Sequence, residues 1–132
     1  MPTRILNFQK RFAPDVESGI KTTTIRAKRK DGRDPKMGDM LALYTGLRTK
    51  AARLLRRETC FAVDPIMIQP SIAENDHLVW VGDVMLNNEG VAAMARQDGF
   101  ASAEEFIGYF RKSYGLPFNG YLIGWKPERK TS

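Results

Sequence analysis

The chain has 132 residues, 42% hydrophobic and 27% charged, with a formal net charge of +6; that is one domain's worth of chain and excludes a wholly disordered protein. One cysteine, Cys60, and one histidine, His77, exclude an internal disulfide and the usual zinc ligand sets, so neither metal nor cofactor is expected. No apolar run reaches the ~18 residues of a membrane span, and the opening stretch has no long apolar core, so a cytoplasmic protein without membrane contact is expected.

Arg4 to Phe8 reads as a first strand. Pro14 to Ser18 reads as one or two helical turns: proline suits a first helical position and Gly19 the left-handed residue that ends it. Thr22 to Arg26 is β-branched and reads as a strand. Lys28 to Lys36 is a charged loop containing Gly32 and Pro35, and Gly38-Asp39 is a turn into a strand over Met40–Thr45. Arg53 to Met67 reads as one or two strands interrupted at Asp64-Pro65. Leu78 to Val81 and Val84 to Leu86 are strands split by Gly82-Asp83.

Two helices follow. The first runs from about Asn88 to Asp98, with Asn87 or Asn88 as cap and Gly99 as stop. The second starts at Ser102, with Glu105 at capping-box spacing, and carries Phe106, Ile107, Phe110 and Tyr114 on one face. Gly120 to Trp125 is a closing strand, and residues 127–132 form a polar tail beyond a single domain over 1–126. Strands in this number, without βα alternation, predict an α+β fold: a small, mostly antiparallel barrel flanked by short helices.

The charge is uneven. Between Lys21 and Arg57, twelve basic residues face three acidic ones, a net of +9 that leaves −3 for the rest. A basic segment on a slightly acidic body suits a polyanion partner such as nucleic acid, or equally a solvated surface.

The most informative stretch is Phe8-Gln-Lys-Arg-Phe12, Gly19, Lys21-Thr22-x-Thr24-Ile25-Arg26 and Gly38-Asp39. In order, spacing and elements it resembles the ASCH family, small domains with a PUA-like β-barrel. The resemblance is greatest to members that hydrolyse the amide on the exocyclic nitrogen of N(4)-acetylcytidine. It implies a lysine, a threonine and a carboxylate acting together: Lys21, Thr24 and, on the first late helix, Asp98. The family has glutamate there, one methylene longer. Glu89, earlier in the same helix, is the substitute candidate.

The implied chemistry has a physical basis. A threonine hydroxyl needs a base before it attacks. Lys21 serves only as a neutral amine, a form that burial and neighbouring cations such as Arg26 favour. An opposed carboxylic acid protonates the departing amine. Thr24 and Arg26 share a strand face, whereas Lys21 is an odd number of residues from Thr24 and must turn inward from the loop after Gly19.

Phe8 and Arg26 are candidate substrate or RNA contacts. So are Thr45, Arg48 and Lys50, in a loop whose glycine, hydroxyls and cations suit a phosphate or a plain surface turn. Phe106, Phe110, Trp80 and Trp125 read as packing residues, and His77 as a loop residue. Two readings follow: an amidohydrolase acting on a small acylated cytidine nucleoside, or a module binding single-stranded or modified RNA, with ribonuclease activity as a variant of it. Nothing in the pattern specifies an oligomeric state.

Overall fold

The computed structural model describes residues 2–70 and 78–126; His77 and the polar tail after Lys126 lie outside them. Strand β1 (Thr3–Phe8) alternates exposed and inward residues and buries Leu6 and Phe8. A 3-10 turn over Lys10–Phe12 leads into helix α1 (Ala13–Ser18), with Pro14 in its first turn and Gly19 at φ 87° ending it. Strands β2 (Thr23–Ala27), β3 (Met40–Thr45) and β4 (Arg53–Gln69) follow. Then come the hairpin β5 (Leu78–Val81) and β6 (Val84–Met85), helices α2 (Asn88–Gln97) and α3 (Ala103–Tyr114), and strand β7 (Phe118–Trp125).

Both late helices carry side-chain caps. The Asn87 side chain accepts from Gly90 N at 2.8 Å, and the Ser102 hydroxyl accepts from Glu105 N at 3.1 Å. Each cap satisfies an otherwise orphaned amide at a helix start. No helix among the described residues is long and apolar enough to cross a membrane.

The sheet is built around β4. Its first half pairs antiparallel with β3, whose other side pairs in parallel with β1. Its second half pairs antiparallel with β5 on one side and β7 on the other, and β7 carries β2. The result is an α+β fold with a mostly antiparallel seven-stranded sheet and three short helices. The expected barrel closure is not present, because β1 and β2 do not pair. Arginine side chains occupy the place of a ladder: Arg26 Nη2 donates to Asn7 O at 2.8 Å, and Arg29 Nη2 to Ile5 O at 2.9 Å. Backbones bridged by guanidinium groups cannot approach to the ~4.8 Å that strand pairing needs.

The expected interruption at Asp64-Pro65 is also absent; β4 runs unbroken for 17 residues, with one register shift at Leu55, opposite Leu43 and Tyr44, and another between Cys60 and Ala62. Pro65 O accepts from Gly82 N at 2.8 Å, so residue 65 turns its carbonyl toward the β5–β6 turn. A strand residue's N–H points to the same side as its carbonyl. The missing N–H of Pro65 therefore falls beyond the last β4–β5 pair, Ile66 with Val81, where no ladder bond is lost.

Two apolar cores result. One sets α2 and α3, through Val91, Phe106 and Phe110, against Ile25, Ile66 and Phe118. The other sets α1 and β1 against β3, with Leu6, Val16, Leu41 and Trp125. Phe12 packs against both. Trp125 is buried as expected of a packing residue, whereas Trp80 is only half-buried.

Candidate active site

A cavity of about 90 Å³ opens where the two cores meet, in the gap between β1 and β2. Lys21, Thr24, Arg26 and Asp98 all line it, with Phe8 and Phe12.

Lys21 precedes β2, on the turn after Gly19, where its backbone N donates to Asp15 O at 2.9 Å. Its side chain runs inward and is 3% exposed. The ammonium donates to Asp98 Oδ1 and to Asp98 O, each at 2.7 Å. Asp98 is the C-cap of α2 and is 5% exposed. A carboxylate there opposes the helix dipole, and the Lys21 cation offsets that by meeting the carboxylate and a terminal carbonyl together. The aromatic faces of Phe12 and Phe8 stand 5.2 and 6.0 Å from the Lys21 nitrogen, which adds cation–π attraction.

Gly99 allows this approach. It has φ 96°, and a Cβ there would stand 2.7 Å from the Phe12 ring. Only glycine meets both conditions without displacing a wall of the cavity.

Thr24 is 5% exposed, on the face of β2 that it shares with Arg26. Arg26 Nε donates to the Thr24 hydroxyl at 3.1 Å while Nη2 holds Asn7 O. The Arg26 guanidinium lies 4.7 Å from the Phe8 ring centroid. Thr24 Oγ1 thus accepts one fixed hydrogen bond, and its own proton is free to go to a base.

Burial lowers the Lys21 pKa, against the pull of the Asp98 carboxylate, and Arg26 lowers it further. Burial likewise raises the Asp98 pKa, against the pull of Lys21 and Arg26. Desolvation therefore pushes both partners toward their neutral forms, an amine beside a carboxylic acid. Opposed shifts of this kind are compatible with an acid–base pair.

Glu89 does not reach the cavity. It sits exposed in the first turn of α2, at the opposite end of that helix from Asp98. Thr45 lines a neighbouring groove, and its hydroxyl donates to Phe8 O at 2.8 Å. Arg48 and Lys50 are exposed and line neither space. The reason is local: Thr49 closes the loop on Gly46 through its N–H and hydroxyl, at 3.1 and 2.6 Å, and throws the cations outward. Among the described residues no cluster of histidine, cysteine and carboxylates could hold a metal ion.

Several cleft residues carry no sequence signal. Phe100, Tyr109 and Tyr114 line the cavity from the α2–α3 side, Tyr114 at 54% exposure. Gln9 Nε2 donates to the Tyr109 hydroxyl at 3.4 Å across its mouth. Tyr114 lies on the helix stripe read as core, yet at the end of α3 that stripe runs out over the cavity.

Comparisons with protein-family models, curated proteins and solved structures find no match to this chain.

Proposed function

We propose that the chain is an ASCH-like, PUA-like protein that hydrolyses the N(4)-acyl amide of acylated cytidine. The observation that carries this reading is the buried Lys21–Asp98 pair, at 2.7 Å, in one cavity with the Thr24 hydroxyl. The sequence resemblance supplies the reaction, and the two half-sheets sharing β4 are compatible with a distorted PUA-like barrel.

In this reading the ligand displaces water from the cavity, and the Lys21 proton passes to Asp98. The neutral amine takes the Thr24 proton as Thr24 Oγ1 bonds to the acyl carbon. The C–N bond then breaks, and the Asp98 carboxylic acid protonates the leaving exocyclic nitrogen. Water hydrolyses the acyl-threonine ester and restores all three groups. Arg26, already bonded to Thr24, holds the nucleophile's rotamer.

The missing methylene of Asp98 is compensated by position. Gly99 brings the end of α2 against Phe12, so the shorter carboxylate still reaches Lys21. A cavity of about 90 Å³ is below the ~300–1,000 Å³ usual for whole drug-sized ligands, so it takes the acylated base edge and leaves the ribose at the mouth. Phe8, Phe100 and Tyr109 offer aromatic surface to a planar base.

The test is incubation of the purified protein with N(4)-acetylcytidine, following release of cytidine. Stoichiometric conversion is expected. Absence of turnover, with tight RNA binding whose affinity falls steeply with salt, would instead support the RNA-binding reading. The exposed Arg48 and Lys50 favour that reading.

A further inference from the structure

We propose that the groove beside the cavity holds a second nucleotide, so that the substrate is an acylated cytidine within a polynucleotide strand. This inference rests on the amidohydrolase reading above.

The groove has a volume of about 630 Å³, seven times that of the cavity at about 90 Å³. The two share Asn7, Phe8 and Gln9 as a common wall. A ligand emerging from the cavity mouth therefore continues into the groove across β1's last residues.

Ala13, Pro14, Leu47 and Ala51 give the groove an apolar lining that suits the faces of a base. Cations stand at its edge. Lys10 is exposed, while Arg53 is ion-paired with Glu17. The loop that forms its far wall also carries Arg48 and Lys50 outward. A wholly apolar occupant would have no use for the Lys10 charge on the groove lining, whereas one phosphodiester between two bases would.

The dividing wall has a donor for that phosphate. Asn7 Oδ1 accepts from Leu47 N at 3.1 Å, which leaves the Asn7 amide N–H₂ without a partner among the described residues. The far wall is held in advance by Thr49: its hydroxyl donates to Gly46 O at 2.6 Å and accepts from Ala51 N at 3.1 Å. A site ordered before its ligand arrives loses less entropy on binding.

The experiment compares N(4)-acetylcytidine with dinucleotides carrying it at the 5′ or 3′ position, using the full chain. One polarity is expected to show kcat/KM ~10-fold above the nucleoside, about 1.4 kcal/mol. That advantage should shrink with salt, at a log–log slope of about −0.7 for one phosphate contact. Lys10→Glu and Ala51→Trp should each remove the advantage and leave nucleoside turnover unchanged. Dinucleotides no better than the nucleoside, or an advantage that survives both variants, overturns the proposal and leaves the amidohydrolase reading intact. If the nucleoside gains from a longer acyl chain and Ala51→Trp abolishes that gain, the groove is an acyl pocket and the proposal fails. If no substrate turns over, titration with a cytidine dinucleotide decides. Weaker binding to Ala51→Trp supports the groove, and equal binding overturns it.

Discussion

Lys21 and Asp98 are 77 positions apart in the chain, yet the ammonium of one meets both the side chain and the backbone carbonyl of the other at 2.7 Å. Nearly all solvent is excluded from the pair. Removing two ions from water costs several kcal/mol each, and their attraction does not reliably return it. A pair of this kind is therefore weak evidence for stability and stronger evidence for use.

That argument is measurable as a mutant cycle. Asp98→Leu and Lys21→Met each leave an uncompensated buried charge, and each should cost ~3–5 kcal/mol in denaturant unfolding. The double variant Lys21→Met/Asp98→Leu should regain most of that loss and have no turnover. A double variant as unstable as either single would show that the pair holds the fold together.

The same pair sets a pH signature. Burial raises the Asp98 pKa from its ordinary 3.8 and lowers that of Lys21 from 10.5. Above 3.8 the unfolded chain loses the Asp98 proton first. The folded chain then holds more protons, and stability falls as pH rises through the raised folded value. Toward 10.5 the folded Lys21 loses its proton first. The unfolded chain then holds more, and stability rises with pH across that window. Relative to Lys21→Met/Asp98→Leu, the wild type should be weakest between the two windows and gain at both ends. Unfolding free energies of both proteins on the acid and alkaline limbs check this, and parallel curves would contradict it.

Thr24→Ala and Lys21→Ala should each abolish turnover of N(4)-acetylcytidine. A nucleophile and its base act as a unit, so the double variant should lose little beyond either single. Asp98→Asn should lower kcat ~10²–10⁴-fold, the usual reach of a general acid. Thr24→Ser should retain part of the rate. Full activity in Thr24→Ala would remove threonine as the nucleophile.

Gly99→Ala combines an unfavourable φ of 96° with a Cβ placed 2.7 Å from the Phe12 ring. A strained backbone of this sort costs ~1–3 kcal/mol. It should lower the melting temperature and, by pushing Asp98 off Lys21, lower kcat more than it changes KM. A melt unchanged from wild type would contradict the close approach.

What could be read from the residues was mostly local. Asn87 and Ser102 announce helix starts because a cap bonds two or three residues away. Gly19 and the common face of Thr24 and Arg26 follow from dihedral preference and strand period alone. Pro65 misleads because its effect depends on what lies opposite, and Gly82 lies opposite only once the hairpin has folded. Tyr109 and Tyr114, on α3, are illegible as cavity residues for a similar reason. A helix stripe reports that a face is covered, not that its last turn overhangs a gap between two strands. The open seam between β1 and β2 was illegible too, because it depends on where Arg26 and Arg29 point.

That seam has a consequence for colloidal behaviour. Ile5 and Asn7 present their carbonyls along the free side of β1, the kind of edge onto which a strand of another molecule adds. Arg26 and Arg29 already occupy those acceptors and lay positive charge across the edge. The same side chains that keep the gap open also deny it to a neighbour. Arg29→Ala, which leaves the cavity untouched, should uncover Ile5 O and show concentration-dependent self-association in light scattering, where the wild type stays monodisperse.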